Sequence, residues 1–432
     1  MKVALVHDWL TGMRGGERCL EAFLAIYPSA DIFTLVHVPG STSSLIDSRV
    51  KEASFLSRIP GIKRLYRLFL PLYPLAIRSF DFTGYDLVIS LSHAAAKNIV
   101  VPSGVKHVCY CFTPMRYVWD QVKHYFGPAA RVVLFPVLEF LRKWDRAGAA
   151  RVTHFVAISS FVGARIRLFY GRRSHVIAPP VRSDREAPAI VDRNDQHIIA
   201  TLPTKFFLCA GALVPYKRIE VVVEAFNASG HPLVVAGKGP ELKRLRELAR
   251  ANIFFLESVS DGVLWELYRR CKALIFPGIE DFGIVPVECL AAGRPVIGLN
   301  AGGLRDSMAP DRDWSISPLV AVCSTGILIS KGLYGSAFGI SEAVEAFFER
   351  ESTFSSSDAR ARADKFSYDQ FYQSWSNFCF SVGLPGPGGS RLSSSMAMSS
   401  DSAGAKSLGE TSGPVPEPSP AQVVKMVGGS SC

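Results

Sequence analysis

Short apolar runs alternate with helix-like segments along most of this chain, and this alternation constrains its fold more than any other feature. Such runs suit strands buried on both faces, and strands that alternate with helices form parallel sheets through βαβ units. The pattern occurs twice, so the sequence predicts an α/β fold with two doubly wound halves. The predicted strands are 3–6, 31–35, 86–90, 107–110, 154–159 and 176–180 in the first half, and 206–210, 232–237, 253–256, 273–276 and 296–297 in the second half.

Changes in composition divide the chain into units. Residues 182–200 are polar and lack a long periodic pattern, so we interpret them as a linker between a first domain, 1–181, and a second domain, 201–360. With 432 residues, 48% of them hydrophobic, the chain is long enough for two buried cores. Residues 384–432 are rich in Gly, Ser and Pro and cannot bury enough apolar surface to offset their ordering entropy. We therefore expect a disordered tail there.

Two carboxylates, Glu280 and Glu288, bracket a mostly uncharged segment in the stretch E-D-F-G-I-V-P-V-E. Pro286 suits the first turn of a helix and Gly293 its end, which places Glu280 in the preceding loop and Glu288 in the opening turn. Ligands of doubly wound sheets bind at the carboxyl ends of strands, and helix N-termini favour phosphate. A ligand with both phosphate and hydroxyl groups, such as a sugar or a ribose, would explain the two glutamates. A capped surface helix with two solvated glutamates explains them equally well.

Three further loops follow predicted strands and suit phosphate. In T-G-M-R-G-G-E, Gly15 and Gly16 would let the backbone approach a ligand, although a plain strand-to-helix turn has the same composition. In G-A-L-V-P-Y-K-R, Lys217 and Arg218 stand at a helix start, where the helix dipole disfavours cations. A bound diphosphate would explain their placement, and so would a solvated helix start. The G-K-G-P loop at 237–240 is a weaker signal, since it is also a common turn.

Together with H-D-W-L-T-G-x-x-G-G-E, S-H-A-A-A-K and T-P-M-R-Y-V-W-D, these segments resemble glycosyltransferase family 4, and within it the bacterial O-antigen and exopolysaccharide mannosyltransferases. The likeness covers about residues 1–310 and the segment around 366–380. It implies a GT-B fold, in which two Rossmann-like domains face each other across a cleft, with a helix in 361–383 that crosses back to the first domain. It also implies a retaining, metal-independent enzyme that needs no cofactor and takes a nucleotide sugar, with GDP-mannose favoured, as its substrate.

The resemblance assigns roles to individual residues. Glu288 is expected to hold ribose hydroxyls and Glu280 the hydroxyls of the donor sugar, while Lys217, with Arg218 as a weaker candidate, neutralises the leaving diphosphate. His93 is expected beside the transferred sugar, although a capping or core histidine would also fit its position. Backbone N–H groups are expected to contact sugar and phosphate at Phe282, Gly283, Ile284 and Val285. Two glycines of the first domain, Gly15 and Gly16, are expected to close the cleft.

Departures from the family pattern leave other functions open. Phe112 stands where relatives in this branch usually have a histidine, and Ala212 where many have an arginine. Residues 311–336 lack the usual acidic turn into the last helix. A sugar-nucleotide enzyme of other chemistry, such as an epimerase, and a catalytically weak relative that acts as a binding subunit are therefore alternatives to a glycosyltransferase.

Charge and composition narrow the class of partner and the compartment. Lys and Arg outnumber Asp and Glu by 48 − 38 = 10, which favours an anionic partner, but no basic block with interleaved aromatic residues indicates nucleic acid. The N-terminus does not have the pattern of a signal peptide, and no apolar run is long enough to span a bilayer. Nine cysteines without paired CxxC spacing favour reduced thiols over a zinc site. We therefore expect a cytoplasmic protein without a bound metal.

Residues 58–78 mix aliphatic and aromatic side chains with cations and contain no acidic residue. This composition suits docking on an anionic membrane surface, and Pro71 and Pro74 exclude one long amphipathic helix. An internal helix with exposed Lys and Arg is equally compatible with it. The segment is thus interpreted as a peripheral contact with the inner face of the plasma membrane, and the resemblance implies a lipid-linked or glycan acceptor.

Overall fold

Two sheets organise the chain, one parallel and one mostly parallel, and each is buried between helices. The computed structural model describes residues 1–119, 122, 133–190, 192–308, 314–315 and 318–386. The first sheet has the order β3-β2-β1-β4-β5-β6-β7, and its strands all run parallel. These strands are β1 Val3–Leu10, β2 Asp31–His37, β3 Val50–Ala53, β4 Leu87–Ser92, β5 Lys106–Cys111, β6 His154–Ala157 and β7 Ser174–Val176.

The second sheet has the order β10-β9-β8-β11-β12-β15-β14-β13. Its strands β8 to β12 and β15 are parallel, and β13 and β14 extend it as an antiparallel edge. These strands are β8 Phe207–Ala210, β9 Leu233–Ala236, β10 Ile253–Leu256, β11 Leu274–Phe276, β12 Val296–Leu299, β13 Trp314–Ser315, β14 Val320–Cys323 and β15 Gly326–Ile329. The prediction of two doubly wound α/β halves is thereby confirmed.

Helices connect the strands and cover both faces of each sheet. Their sequences carry apolar residues at helical spacing, as in the helix Gly15–Ile26, where Cys19, Leu20, Phe23 and Leu24 are buried. In the first half the α-helices are Gly15–Ile26, Ser44–Arg49, Ile62–Leu65, Tyr73–Ile77, Phe135–Arg151 and Ser160–Tyr170. The later ones are Arg193–Ala200, Ile219–Ser229, Leu242–Leu248, Asp261–Arg270, Ile284–Ala291, Leu304–Met308, Ala337–Arg350, Ser356–Asp364 and Tyr368–Ser381.

Some predicted elements differ from the structure. Residues 176–180 were expected to form a strand, but β7 ends at Val176, since Pro179 and Pro180 have no N–H group for a sheet ladder. The proposed linker contains the helix Arg193–Ala200, whose start is capped by the Asp192 side chain. The predicted tail, 384–432, lies outside the described residues apart from its first three.

The C-terminal helix packs on the first domain. Trp375 of Tyr368–Ser381 is fully buried, and its indole N–H donates to the hydroxyl of Tyr27 over 2.9 Å. The Trp375 ring also meets the ring of Phe23 edge to face, with the centroids 4.7 Å apart. This contact joins the end of the described chain to the helix Gly15–Ile26. Among the described residues, no helix combines the length and the apolar character that crossing a membrane requires.

Candidate functional site

The candidate site lies where the carboxyl ends of the two sheets face each other. In the second domain, Lys217 and Glu280 follow β8 and β11. In the first domain, His93 follows β4, and Ser159 follows β6. Because parallel strands of a sheet end at the same edge, the topology gathers residues that are far apart in sequence.

Lys217 and Glu280 form an ion pair in the second domain. The ammonium of Lys217 lies 2.9 Å from a carboxylate oxygen of Glu280, and both side chains are less than one-fifth exposed. Burial disfavours the charge of Lys217, but Glu280 outweighs burial and raises the pKa of Lys217. The lysine is therefore held as a cation beside Gly211, where an added Cβ would lie 3.0 Å from its nitrogen.

Arg218 points elsewhere, although it directly follows Lys217. Its guanidinium lies 2.9 Å from a carboxylate oxygen of Glu220 and within 3.4 Å of the carbonyl oxygen of Gly335. Its backbone adopts a left-handed conformation with φ 56°, which a non-glycine residue rarely takes. Of the two predicted phosphate ligands, Lys217 is thus the one that faces Glu280.

Glu288 lies in the second turn of its helix. The sequence had placed it in the opening turn, but the helix begins at Ile284, two residues before Pro286, and this shifts the carboxylate along the axis. The buried hydroxyl of Tyr268 donates to Glu288 over 3.0 Å, and Arg18 from the first domain lies 3.5 Å away. Burial raises the pKa of Glu288, with Arg18 and Tyr268 acting in the opposite direction.

The N-terminus of the Glu288 helix touches the glycine loop of the first domain. A Cβ added to Gly15 would lie 2.5 Å from the terminal methyl group of Ile284, so the missing side chain permits this approach. A Cβ added to Gly16 would lie 3.4 Å from a ring nitrogen of His7. Gly283 precedes the helix with φ +90°, a conformation that favours glycine. Gly15 therefore meets the helix N-terminus between the domains, while Gly16 lies against His7 and Phe112 of the first domain.

The other two predicted backbone donors flank this point differently. Phe282 is buried, and its ring packs against Phe366 with the centroids 5.4 Å apart. Val285 is half-buried within the first turn of the helix. The Phe282 side chain thus anchors the loop, while the N–H groups of the first helical turn lack intrahelical partners and suit an anion.

Asp8, which is fully buried, and His93, which is partly exposed, form a pair in the first domain. Asp8 accepts hydrogen bonds of 2.6–2.9 Å from four successive backbone N–H groups, of which His93 supplies the first and Ala96 the last. The His93 ring nitrogen Nδ1 lies 3.2 Å from Asp8. Burial would raise the pKa of Asp8, but His93 and these N–H groups outweigh it and lower the pKa. Asp8 therefore fixes the His93 loop as a charged cap, a role that the sequence had not assigned to it.

Phe112 covers the histidines of the first domain. Its ring centroid lies 6.5 Å from that of His7 and 6.2 Å from that of His93. Nδ1 of His7 lies 3.1 Å from the carbonyl oxygen of Trp9, while Nε2 is buried and has no partner among the described residues. Burial lowers the pKa of both His7 and His93, which favours neutral rings.

A cluster of charges that sequence reasoning missed joins the two domains at Asp281. Arg116 and Arg165 from the first domain both bind its carboxylate, with Arg165 at 2.7 Å. The hydroxyl of Ser159 donates to its backbone carbonyl oxygen over 2.5 Å. All three charged side chains are less than one-fifth exposed, and Asp281 directly follows Glu280. The only sequence signals were the positions of Arg116 and Asp281 inside T-P-M-R-Y-V-W-D and E-D-F-G.

The assembled site is a polar cleft with a cation and a helix N-terminus on one side and a histidine on the other. Arg116 from the first domain binds Asp281, which directly follows Glu280, so the two halves of the site are in contact. Such a site can hold a diphosphate near Lys217 and hydroxyl groups near Glu280 and Glu288. The described residues contain no group of three or more His, Cys, Asp or Glu that could hold a metal ion.

Comparison with known proteins agrees with this geometry. Residues 192–332 match the family model of glycosyl transferases group 1. The serotype-specific mannosyltransferase WbdA of Escherichia coli is 31% identical over 136 residues, which are 27% of this chain and 17% of that protein. The O-antigen chain mannosyltransferase C of Escherichia coli is 30% identical over 113 residues, 24% of this chain and 30% of that protein. The matched region thus spans less than one-third of either relative.

Solved structures show the fold over most of the chain. The crystal structure of HepE from Anabaena in complex with UDP superposes with a TM-score of 0.62 at 16% identity, and covers 88% of this chain and 100% of that one. Sucrose-phosphate synthase from Thermosynechococcus elongatus gives a TM-score of 0.63 at 16% identity, and covers 89% of this chain and 99% of that one. These likenesses establish the predicted GT-B arrangement of two facing Rossmann-like domains.

Proposed function

We propose that the chain is a retaining glycosyltransferase, since residues 192–332 match the family model of glycosyl transferases group 1. It moves a hexose, with mannose favoured, from a nucleotide sugar to a lipid-linked or polysaccharide acceptor in cell-surface glycan synthesis. The observation that carries the proposal is the buried Lys217–Glu280 pair beside the helix that bears Glu288. The names of the mannosyltransferase relatives support mannose as the sugar, and GDP-mannose is the donor that the family resemblance favours.

The donor is held through its three chemical parts. Glu288 accepts hydrogen bonds from the ribose hydroxyls. Its contact with Arg18 is long, at 3.5 Å, so the ribose hydroxyls can replace it. Glu280 accepts from hydroxyls of the sugar, and Lys217 with the N-terminus of the helix at Ile284 binds the diphosphate. These positive groups stabilise the charge that develops on the leaving diphosphate, so the reaction needs no divalent metal and no cofactor.

Transfer takes place on one face of the sugar. The bond between the anomeric carbon and the diphosphate oxygen breaks while the acceptor hydroxyl forms a new bond on the same side. The acceptor's proton passes to the departing phosphate oxygen, which balances the step without a protein base. His93, held by Asp8, lines the sugar side of the cleft as a neutral ring that can hydrogen-bond a hydroxyl group.

Donor turnover tests the proposal. The parent is expected to release GDP from GDP-mannose, slowly as hydrolysis and faster with acceptor-bearing membranes. Lys217→Ala is expected to lower turnover about 100-fold or more, because the charge aimed at the leaving group is lost. Lys243→Ala is the matched control, since that side chain is 91% exposed in the same domain. Equal turnover in Lys217→Ala and Lys243→Ala would contradict the assignment.

A binding subunit with weak or absent catalysis is the second candidate. It is favoured by Phe112, which places an apolar ring against both histidines and cannot hydrogen-bond a sugar or an acceptor. This candidate predicts nucleotide binding without GDP release from the donor in the presence of acceptor membranes. Phe112→His would then be expected to restore turnover.

The acceptor side of the proposal includes contact with an anionic membrane. Residues 58–78 form short helices that leave apolar side chains exposed, among them Leu68 at 74% and Leu75 at 64%. Lys63 is exposed on the same segment. Apolar groups flanked by cations suit the surface of an anionic leaflet.

Liposome co-sedimentation tests this contact. Changing Lys63, Arg64 and Arg67 to Ser is expected to reduce pelleting with anionic vesicles at low salt and to leave nucleotide affinity unchanged. High salt should mimic the variant, because screening acts over ~8 Å at physiological ionic strength. Equal pelleting of variant and parent at low salt would mean that these cations are only solvated and would favour a soluble glycan acceptor.

A further inference from the structure

A second basic cavity lies in the second domain, at the sheet edge opposite to Lys217 and Glu280. Its volume is about 270 Å³. Lys205, Lys272 and Pro295 line it, and they precede β8, β11 and β12. Because Lys217 and Glu280 follow β8 and β11, the length of these strands separates the cavity from the candidate donor site. Nothing in the proposed transfer reaction uses the cavity.

The lining of the cavity is strongly cationic. Four cations face one carboxylate, that of Glu351; the cations are Lys205, Arg270, Lys272 and Arg294. Lys272 is neutralised by Glu351, 2.7 Å away, and Arg270 by Glu266 at the same distance. These pairs leave Lys205 and Arg294 as the excess positive charge.

Lys205 and Arg294 have free hydrogen-bonding capacity. The Nε atom of Arg294 donates to the carbonyl oxygen of Arg269 over 2.7 Å, which fixes the guanidinium. Within the described residues, neither the two terminal nitrogens of Arg294 nor the ammonium of Lys205 has a hydrogen-bond partner. An anchored guanidinium fork with a lysine on the same cavity matches the donors that bind phosphate oxygens.

Aromatic side chains form the other wall of the cavity. Phe347 and Phe354 both line it, and their rings stack with the centroids 5.5 Å apart and the planes inclined by 7°. Thr204 and Ser356 add hydroxyl groups to the lining. The cavity therefore combines an anion-binding side with an apolar side, and its volume, just below the usual range of ligand pockets, suits a compact molecule.

We propose that this cavity binds a small soluble molecule that carries a diphosphate or a phosphate monoester, through Lys205 and Arg294. The phosphate contacts these two cations, and a compact organic group packs against Phe354, which the buried Phe347 supports from behind. Arg294 follows the C-terminal end of the helix Ile284–Ala291, whose N-terminus borders the donor site. The ligand would thus lie next to Gly293 and Arg294, in the turn that follows this helix.

Calorimetry with inorganic pyrophosphate as the probe tests the proposal. All proteins carry Lys217→Ala, so that pyrophosphate binding at the donor site is suppressed. This background is expected to bind one pyrophosphate. Adding Lys205→Glu is expected to weaken the affinity about tenfold or more, because a cation becomes an anion at the phosphate. Lys243→Glu makes the same change on an exposed face of the domain and is expected to alter the affinity less than about twofold.

Two results would overturn the proposal. One is the absence of pyrophosphate binding in the Lys217→Ala background, and the other is equal affinity in the Lys205→Glu and Lys243→Glu variants. Lys205 is exposed, so its substitution tests the site without disturbing the core, and Arg294→Gln provides an independent second variant.

A vesicle experiment distinguishes a soluble phosphate from a lipid headgroup. Free pyrophosphate is expected to bind whether or not phosphatidylglycerol vesicles are present, and Lys205→Glu is expected to leave vesicle pelleting unchanged. If Lys205→Glu no longer pellets with the vesicles, and the Lys217→Ala background does not bind pyrophosphate, the proposal of a soluble ligand is overturned. The proposed transferase is tested separately by donor turnover, so either proposal can fail while the other stands.

Discussion

Replacing Asp281 by Asn tests whether the contact between the two domains depends on one buried carboxylate. The change keeps the size of the side chain but removes the charge that faces Arg116 and Arg165. Both arginines are more than four-fifths buried, so they cannot recover full hydration when the partner charge is lost. Removing one partner from a buried ion pair costs about 3–5 kcal/mol, and two arginines share this partner.

The magnitude follows from a comparison with a more exposed interdomain carboxylate. Asp261 pairs with Arg18 at 2.7 Å and with Arg182 at 3.1 Å, but its side chain is 48% exposed. Exposed pairs contribute about 0–1 kcal/mol, so Asp261→Asn is the matched control. Each kcal/mol shifts Tm by about 2–4 °C in domains of this size. We therefore expect Tm to fall by about 6–20 °C in Asp281→Asn and by at most about 4 °C in Asp261→Asn.

Differential scanning calorimetry and small-angle scattering together measure this effect. Since Asp281 joins the domains, its loss is expected to increase the radius of gyration as well as to lower Tm. A fall in Tm no larger than that of Asp261→Asn, with unchanged scattering, would refute the reasoning. It would mean that the two arginines are stabilised by water in the cleft rather than by the carboxylate.

Further predictions concern backbone packing and pH. A Cβ on Gly303 would lie 2.3 Å from the carbonyl oxygen of Asp281, so Gly303→Ala is expected to displace the donor loop, weaken nucleotide binding and cost about 1–3 kcal/mol in thermal unfolding. Gly332→Ala, with nothing within 4 Å, should match the parent in both assays, and equal behaviour of the two variants would disprove the packing argument. Burial lowers the pKa of His107 from 6.5 to about 3, so its stabilising contribution is full above pH 6.5 and is lost as the pH falls towards 3. At pH 5, which is 1.5 units below 6.5, the free energy of unfolding is expected to be about 2 kcal/mol lower than at high pH. Urea unfolding at the two pH values measures this difference. It should be smaller in His107→Gln than in the parent, and the same as in the parent in the exposed control His197→Gln.

The fold could be predicted because its determinants are local. Buried parallel strands need continuous apolar runs, and β1, β4 and β12 are recognisable as such from a few adjacent residues. The strand β3, with the sequence V-K-E-A, was missed because it is short, partly exposed and polar. The hairpin of β14 and β15 was also missed, since the parallel pattern gives no signal for an antiparallel edge.

The candidate site could be predicted only in part. Lys217, Glu280 and Glu288 were found because each stands in a segment with its own local signal, the end of a strand or the start of a helix. The partners of these residues come from distant parts of the chain. Arg116 and Asp281 are 165 positions apart, and no local periodicity brings them together. Their pairing depends on how the domains face each other, which only the tertiary structure defines.

The choice between Lys217 and Arg218 illustrates the same limit. The two cations are adjacent in sequence, and the helix-dipole argument applies equally to both. The left-handed backbone of Arg218 turns its side chain towards Glu220, while Lys217 meets Glu280. A single backbone conformation thus separates two residues that composition and spacing could not distinguish.

The central claim is that Glu288 holds the ribose of a nucleoside diphosphate, and nucleotide titration tests it most directly. GDP, UDP and ADP are titrated calorimetrically into the parent, Glu288→Gln and Glu345→Gln, an exposed control in the same domain. We expect at least one nucleotide to bind the parent and the control equally. Loss of a charged acceptor, worth about 1.5–3 kcal/mol, should weaken its binding to Glu288→Gln about 10- to 150-fold. Equal affinity of Glu288→Gln and the parent, with the fold intact, would contradict the claim.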